Sequence, residues 1–244
     1  MSPSPIRRVA LCAAVSLLAA CGGGQHSAPA STNAPVLAAS VVAEPDYNAL
    51  VQHLYIAYFG RAADPAGLAY WAAWCRKSLV PTDMPGFARA YGQNAGVTLL
   101  MDEFGKSAES RALYTGDNDA FLNAIYHNVL SRDADAGGKA WWLDKIERGV
   151  LTRPLAAAYI MAGAQGSDAL SIERKAHAVD LLTTFFKTIG FGSGDYVAVD
   201  TTVLNERIRA LLVAINAGTD TATVEQRVRD LIAELAIIYG WVPH

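Results

Sequence analysis

Leu54–Cys75 reads LYIAYFGRAADPAGLAYWAAWC, and Ile125–Ile146 reads IYHNVLSRDADAGGKAWWLDKI. The two align without a gap at an offset of 71, with identities at Tyr55/Tyr126, Arg61/Arg132, Ala63/Ala134, Asp64/Asp135, Gly67/Gly138, Ala69/Ala140 and Trp71/Trp142. Seven identities in 22 positions, rare residues among them, describe one supersecondary unit used twice. Each copy predicts helix, tight turn, helix. In copy one, Tyr47, Leu50, Val51, Leu54 and Tyr58 share a helical face. Gly60 suits the left-handed position that ends a helix. Asp64 suits the N-cap of the next, and Pro65 its first position, where no amide hydrogen is missed. Copy two keeps the cap as Asp135 but carries Ser131 and Ala136 for Gly60 and Pro65, so its turn is less strongly specified. Arg61 and Arg132 lie just past a helix C-terminus, where a guanidinium can bond free carbonyls. The expected frame of the turns is therefore Gly60, Arg61, Asp64, Gly67 and Trp71, matched by Arg132, Asp135, Gly138 and Trp142.

Outward toward the C-terminus the pattern stays helical. Ser171–Ile189 predicts a helix closed by Gly190, and residues 190–194, GFGSG, read as a flexible break. Leu204, Ile208, Leu211 and Ile215 share a face, as do Val224, Val228, Leu231, Leu235 and Ile238. Gly218 separates them, with Asp220 or Thr221 as the next cap. The expectation is an all-α fold: two related helix–turn–helix units in residues 46–190, then a helical hairpin in 191–244.

The stretch GRAADPAGLAYW, residues 60–71, resembles a bacterial domain of unknown function marked by Gly-Arg-x-x-Asp-x-x-Gly-x-x-Tyr-Trp. That domain recurs in secreted, surface-layer-like and RTX-type proteins and is distantly similar to phycobilisome linker domains. Phe104–Glu109 is similar to its Phe-x-x-Ser-x-Glu element, and Gly163–Asp168 to its Gly-Ala-Gln-Gly-x-Asp element. The resemblance covers about Asp46 to Ile189; copy two, with Ser131 and Trp141 at the Gly and Tyr positions, departs from it. It implies a helical fold and a surface context and brings no activity with it.

The other end of the chain bears on location. Arg7 and Arg8 precede an apolar stretch, Val9–Ala20, too short to span a bilayer and suited to an export signal. It ends in Leu18-Ala19-Ala20-Cys21, which resembles the lipobox of bacterial lipoproteins. That resemblance implies a signal peptide over 1–20 and lipid on Cys21, anchoring the chain to a membrane. Residues 21–45, rich in Gly, Ala, Ser and Pro, read as a tether. As a coil of ~24 residues it spans roughly 25–30 Å. Gly22 is not the aspartate that retains some lipoproteins in the inner membrane, which favours the outer membrane.

Composition narrows the chemistry. Lys+Arg 20 against Asp+Glu 23 gives −3, and loss of residues 1–20 with their two arginines leaves 18 against 23. With no basic excess, nucleic acid is not an expected partner. Of three cysteines, only Cys75 falls in the folded part, where it reads as a small buried hydrophobe without a disulfide partner. Histidines 26, 53, 127, 177 and 244 show no zinc spacing. No nucleophile elbow or phosphate loop is present. The chain is expected to be non-enzymatic and to need no cofactor.

Two features carry sharper readings. Asp133, Asp135 and Asp144 stand at positions 1, 3 and 12 of a partial EF-hand loop, a calcium candidate weakened by Gly137 at ligand position 5, Ala140 at position 8 and an Asp in place of the longer Glu at 12. The aromatic pairs Tyr70-Trp71 and Trp141-Trp142 point about 100° apart on a helix, so one ring of each can face solvent and bind a sugar or protein. The function expected is a lipid-anchored interaction or scaffolding module of the cell envelope, its partners the membrane and an envelope protein or surface polymer. The alternatives are a calcium- or glycan-binding surface module and an envelope enzyme with an unrecognised site.

Overall fold

Pro65, Met84-Pro85 and Arg153-Pro154 each open a helix behind a capping Asp or Thr, and that local grammar recurs along the chain. The computed structural model describes residues 46–191 and 201–241. The signal segment, Cys21, the tether and most of the GFGSG break lie outside the described residues. The fold is all-α, as the periodicity predicts. Eleven helices occupy the described residues: α1 Asn48–Phe59, α2 Pro65–Lys77, α3 Met84–Arg89, α4 Ala95–Gly105, α5 Ala108–Leu113, α6 Asn118–Leu130, α7 Ala136–Glu147, α8 Arg153–Ala162, α9 Ser167–Thr188, α10 Thr201–Ala214 and α11 Thr221–Tyr239. Among the described residues, no helix is long and apolar enough to cross a membrane.

The central helix is α1. Its predicted face, Tyr47 to Tyr58, is buried as expected, but Tyr55, Ile56, Ala57 and Phe59 are buried too. A helix buried on nearly all sides needs neighbours around it, and α1 packs on α2, α4, α5, α6, α8 and α9. Around Phe104 of α4 gather Tyr55, Tyr58, Phe59 and Trp71, with ring centroids 4.9 to 6.0 Å from it. Buried hydroxyls are satisfied by backbone: Tyr58 donates to Pro154 O at 2.7 Å and Tyr114 to Ala57 O at 2.6 Å.

The C-terminal helices pack on this body, α11 along α9 and α10 on α6. Asp220 takes the cap, accepting from Thr223 N at 2.7 Å. The predicted apolar faces are buried through Ile215 and Leu235, whereas Ile238 is exposed. The start of the break is ordered by packing, because Phe191 is buried against Phe186 and Trp241.

One polar group sits deep in this core. Lys175 of α9 is fully buried, with Nζ donating to Asn128 O at 2.5 Å and His127 O at 3.4 Å in the last turn of α6. It serves open C-terminal carbonyls, no carboxylate among the described residues pairs with it, and burial pushes its pKa down to about 7. The unfolded chain holds this proton up to the ordinary lysine range, so between pH 7 and 10 it binds more protons than the folded one. Stability therefore rises with pH across that window, by about 1 kcal/mol per unit. Urea unfolding at pH 7 and pH 9 measures this directly. Lys175→Met is expected to remove most of the slope; a variant with the full wild-type slope places its cause elsewhere.

Candidate functional site

The aligned turns adopt matching local geometry. Gly60 ends α1 at φ 60°, and Ser131 ends α6 at φ 55° in the same left-handed region. A serine there is strained, and its hydroxyl donates to Ile215 O at 2.6 Å, a tertiary anchor the local sequence does not announce. Asp64 and Asp135 cap α2 and α7, accepting from Gly67 N at 2.8 Å and Gly138 N at 2.7 Å. Gly67 has no room for a side chain: a Cβ would collide with the Tyr55 hydroxyl and the Asp64 carboxylate.

The arginines do more than the sequence suggests. Each guanidinium gives one bond to the next carbonyl, Arg61 to Ala62 O at 3.0 Å and Arg132 to Asp133 O at 2.9 Å. These are turn carbonyls, not the helix-terminal ones expected. The other edge forks onto a distant carboxylate: Arg61 onto Glu109 at 2.6 and 3.0 Å, Arg132 onto Asp168 at 2.8 and 2.7 Å. Glu109 and Asp168 stand in the first turns of α5 and α9, within the two short motifs noted in the sequence, whose role was not legible there. The guanidinium planes lie over Tyr55 at 5.1 Å and Tyr126 at 5.2 Å. Gln52, also missed in the sequence, braces the first turn: its amide oxygen accepts from Ala63 N at 3.1 Å and its nitrogen donates to Thr183 at 2.9 Å.

The calcium candidate is not assembled. Asp135 caps α7, while Asp144 is nine residues along that helix, about 13 Å away on its axis. Asp144 pairs with Lys145 at 2.9 Å, which holds its carboxyl below the usual range, and Asp133 pairs with His127 at 2.8 Å. Among the described residues, no group of three His, Cys, Asp or Glu side chains is placed to hold a metal ion. Cys75 is buried, and burial raises its thiol to about 12, far from a reactive thiolate.

The aromatic pairs split as their spacing predicts. Tyr70 and Trp141 are exposed, Trp141 by 53%, while Trp71 and Trp142 are half-buried. Trp142 Nε1 donates to the Tyr126 hydroxyl at 3.1 Å, which fixes its ring. Around Trp141 and Trp142 lies a groove of about 450 Å³, completed by Lys145, by Val150 and Leu151 of the following turn, and by Tyr159 of α8. The Lys145 ammonium sits over the Trp141 ring at 5.5 Å. This is an apolar, ring-lined surface with one cation, and no residue of α7 is buried.

Residues 101–163 match the family described as Domain of unknown function (DUF4214). The match runs from the second half of α4 to the end of α8, so it contains copy two and the groove. Residues 60–71, the main stretch of the resemblance, fall outside the DUF4214 match, whereas Phe104–Glu109 falls inside it. No curated protein and no solved structure matches the chain.

Proposed function

We propose that this chain is a lipid-anchored, non-enzymatic interaction or scaffolding module of the bacterial cell envelope. In this reading the fold is two copies of one helix–turn–helix unit, closed by a helical hairpin. The observation that carries it is the groove beside α7, where Trp141 and Val150 stay in water beside the half-buried Trp142. Rigid aromatic surface of this kind gains free energy when a partner covers it. Trp141 lies on a regular helix, and Trp142 beside it is hydrogen-bonded, so the surface is preorganised.

The anchor follows from the lipobox-like Leu18–Cys21, and Gly22 favours the outer membrane. Lipid on Cys21 with a tether of ~24 residues would let the domain search within a few tens of ångströms of the membrane. The test is fractionation of cells expressing the full chain and Cys21→Ser. The full chain is expected in the membrane fraction, labelled by a fatty-acid analogue; Cys21→Ser is expected unlabelled and in the soluble fraction. Equal membrane retention of both would remove the anchor from the account.

A further inference from the structure

A cavity of about 80 Å³ lies where α5 meets the first turns of α8, whereas the Trp141 groove touches the other end of that helix. Its walls are of two kinds. Phe121, Pro154 and Ala157 are apolar; Ser110, Arg111 and Arg153 are polar, and much of their bonding capacity is unspent. Ser110 is 4% exposed, yet its hydroxyl meets no hydrogen-bond partner among the described residues. The Arg111 guanidinium has neither a hydrogen bond nor an ion pair among them.

Arg153 is only partly used. It donates Nε to Asn118 Oδ1 at 2.9 Å, Nη2 to Gly116 O at 2.9 Å and Nη1 to Tyr114 O at a long 3.5 Å. These acceptors are neutral, and a guanidinium carries five N–H groups, so two donors and the full charge are left over. The acids nearby in sequence are committed elsewhere. Glu109 is forked by Arg61, Asp117 caps α6, and Asp119 pairs with Lys139. Two cations without a counter-charge therefore border one cavity, beside a buried hydroxyl with no partner.

The walls and the volume define the ligand. Guanidinium forks match a carboxylate or a phosphate in geometry. A phosphate or sulfate, charged all round, would set oxygens against Phe121, Pro154 and Ala157, where they meet no donor. A carboxylate with a short hydrocarbon tail satisfies both kinds of wall. A cavity of about 150 Å³ takes one benzene, so this one encloses roughly three to five non-hydrogen atoms.

We propose that this cavity binds a small aliphatic monocarboxylate, of acetate to propionate size. Its carboxylate sits on Arg111, Arg153 and Ser110, and its tail against Phe121, Pro154 and Ala157. The site stands apart from the interaction reading and does not depend on it. A ligand held here bridges α5 and α8 and binds only the folded chain, so it raises stability.

The probes are sodium propionate, acetate and phosphate, titrated at constant ionic strength into the full chain purified in mild detergent, with detergent alone as blank. Calorimetry is expected to show one-site binding of propionate with Kd below about 5 mM. Acetate binds about fourfold more weakly, for the methylene it lacks. The unfolding midpoint rises with each carboxylate. Arg111→Gln keeps the ligand-free midpoint, because that guanidinium holds nothing in the fold, and weakens propionate about tenfold or more. Ser110→Ala weakens it several-fold, while Arg148→Gln on α7 leaves it unchanged. No saturation by either carboxylate up to about 50 mM overturns the proposal. Binding indifferent to Arg111→Gln overturns it too, as does phosphate binding at these residues without propionate binding.

Discussion

Phe104→Ala is expected to lower the unfolding free energy by about 3–5 kcal/mol, the range for truncating a fully buried aromatic. Phe104 is 2% exposed and touches four other rings, from α1 and α2. Two losses combine: the apolar surface returned to water, and a cavity that α1 cannot collapse into, because the helix is packed on nearly all sides. Edge-to-face ring contacts add to the loss. The same truncation detaches the last turn of α4 from Trp71, so Trp71 fluorescence should shift toward that of a wetter ring before global unfolding. Urea titration with far-ultraviolet circular dichroism and tryptophan emission together measure both effects. A loss under 1 kcal/mol would mean that Phe104 does not pack against α1 and α2 in solution.

Arg61→Ala is expected to cost about 3 kcal/mol, and Arg132→Ala less than about 1 kcal/mol, although the two forks share one geometry. Environment separates them. The Arg61 side chain is 8% exposed, so its removal leaves a buried gap and strands the turn carbonyl, although Glu109 itself is 33% exposed. Arg132 is 42% exposed, so water reaches the place it leaves and offsets most of the loss, although Asp168 is itself 18% exposed. The ring stacking of Arg61 on Tyr55 and Phe59 adds to the difference. The lower bound of the usual cost for a broken buried pair is used because Glu109 is itself a third exposed. Equal destabilisation by the two substitutions, in parallel denaturant titrations, would show that burial of the fork does not set its worth.

What could be read from the sequence was what local chemistry writes down. Asp64, Asp135 and Asp220 are caps because carboxylates near free amides stabilise helix starts, and all three accept the bonds their positions predict. Gly60 and the apolar faces of α10 and α11 were legible for the same reason. The helices α3, α4, α5 and α8 were not assigned. They are short, and in α4 the exposed Leu99 falls inside the largely apolar run Val97–Met101, which blurs the period of a helix that is buried on one face only. Long-range partners left no local trace. Glu109 is 48 residues from Arg61 and Lys175 is 47 from Asn128, and nothing at either position names the other. Ser131 was expected to loosen its turn, yet a hydroxyl bond to a loop 84 residues away holds it. As for the site, the sequence pointed to Trp141 and Trp142 as a pair with one ring in water. The groove around them depends on Val150, Leu151 and Tyr159, which belong to elements the periodicity did not reveal.

The measurement that bears most directly on the interaction reading is site-specific photo-cross-linking in native envelopes. A benzophenone side chain replaces Val150 in the groove or, as a control, exposed Ile237 on α11. The account predicts a single discrete adduct from position 150, little or none from position 237, and loss of the adduct when Cys21→Ser releases the protein from the membrane. The same diffuse products from both positions, unchanged by Cys21→Ser, would contradict it.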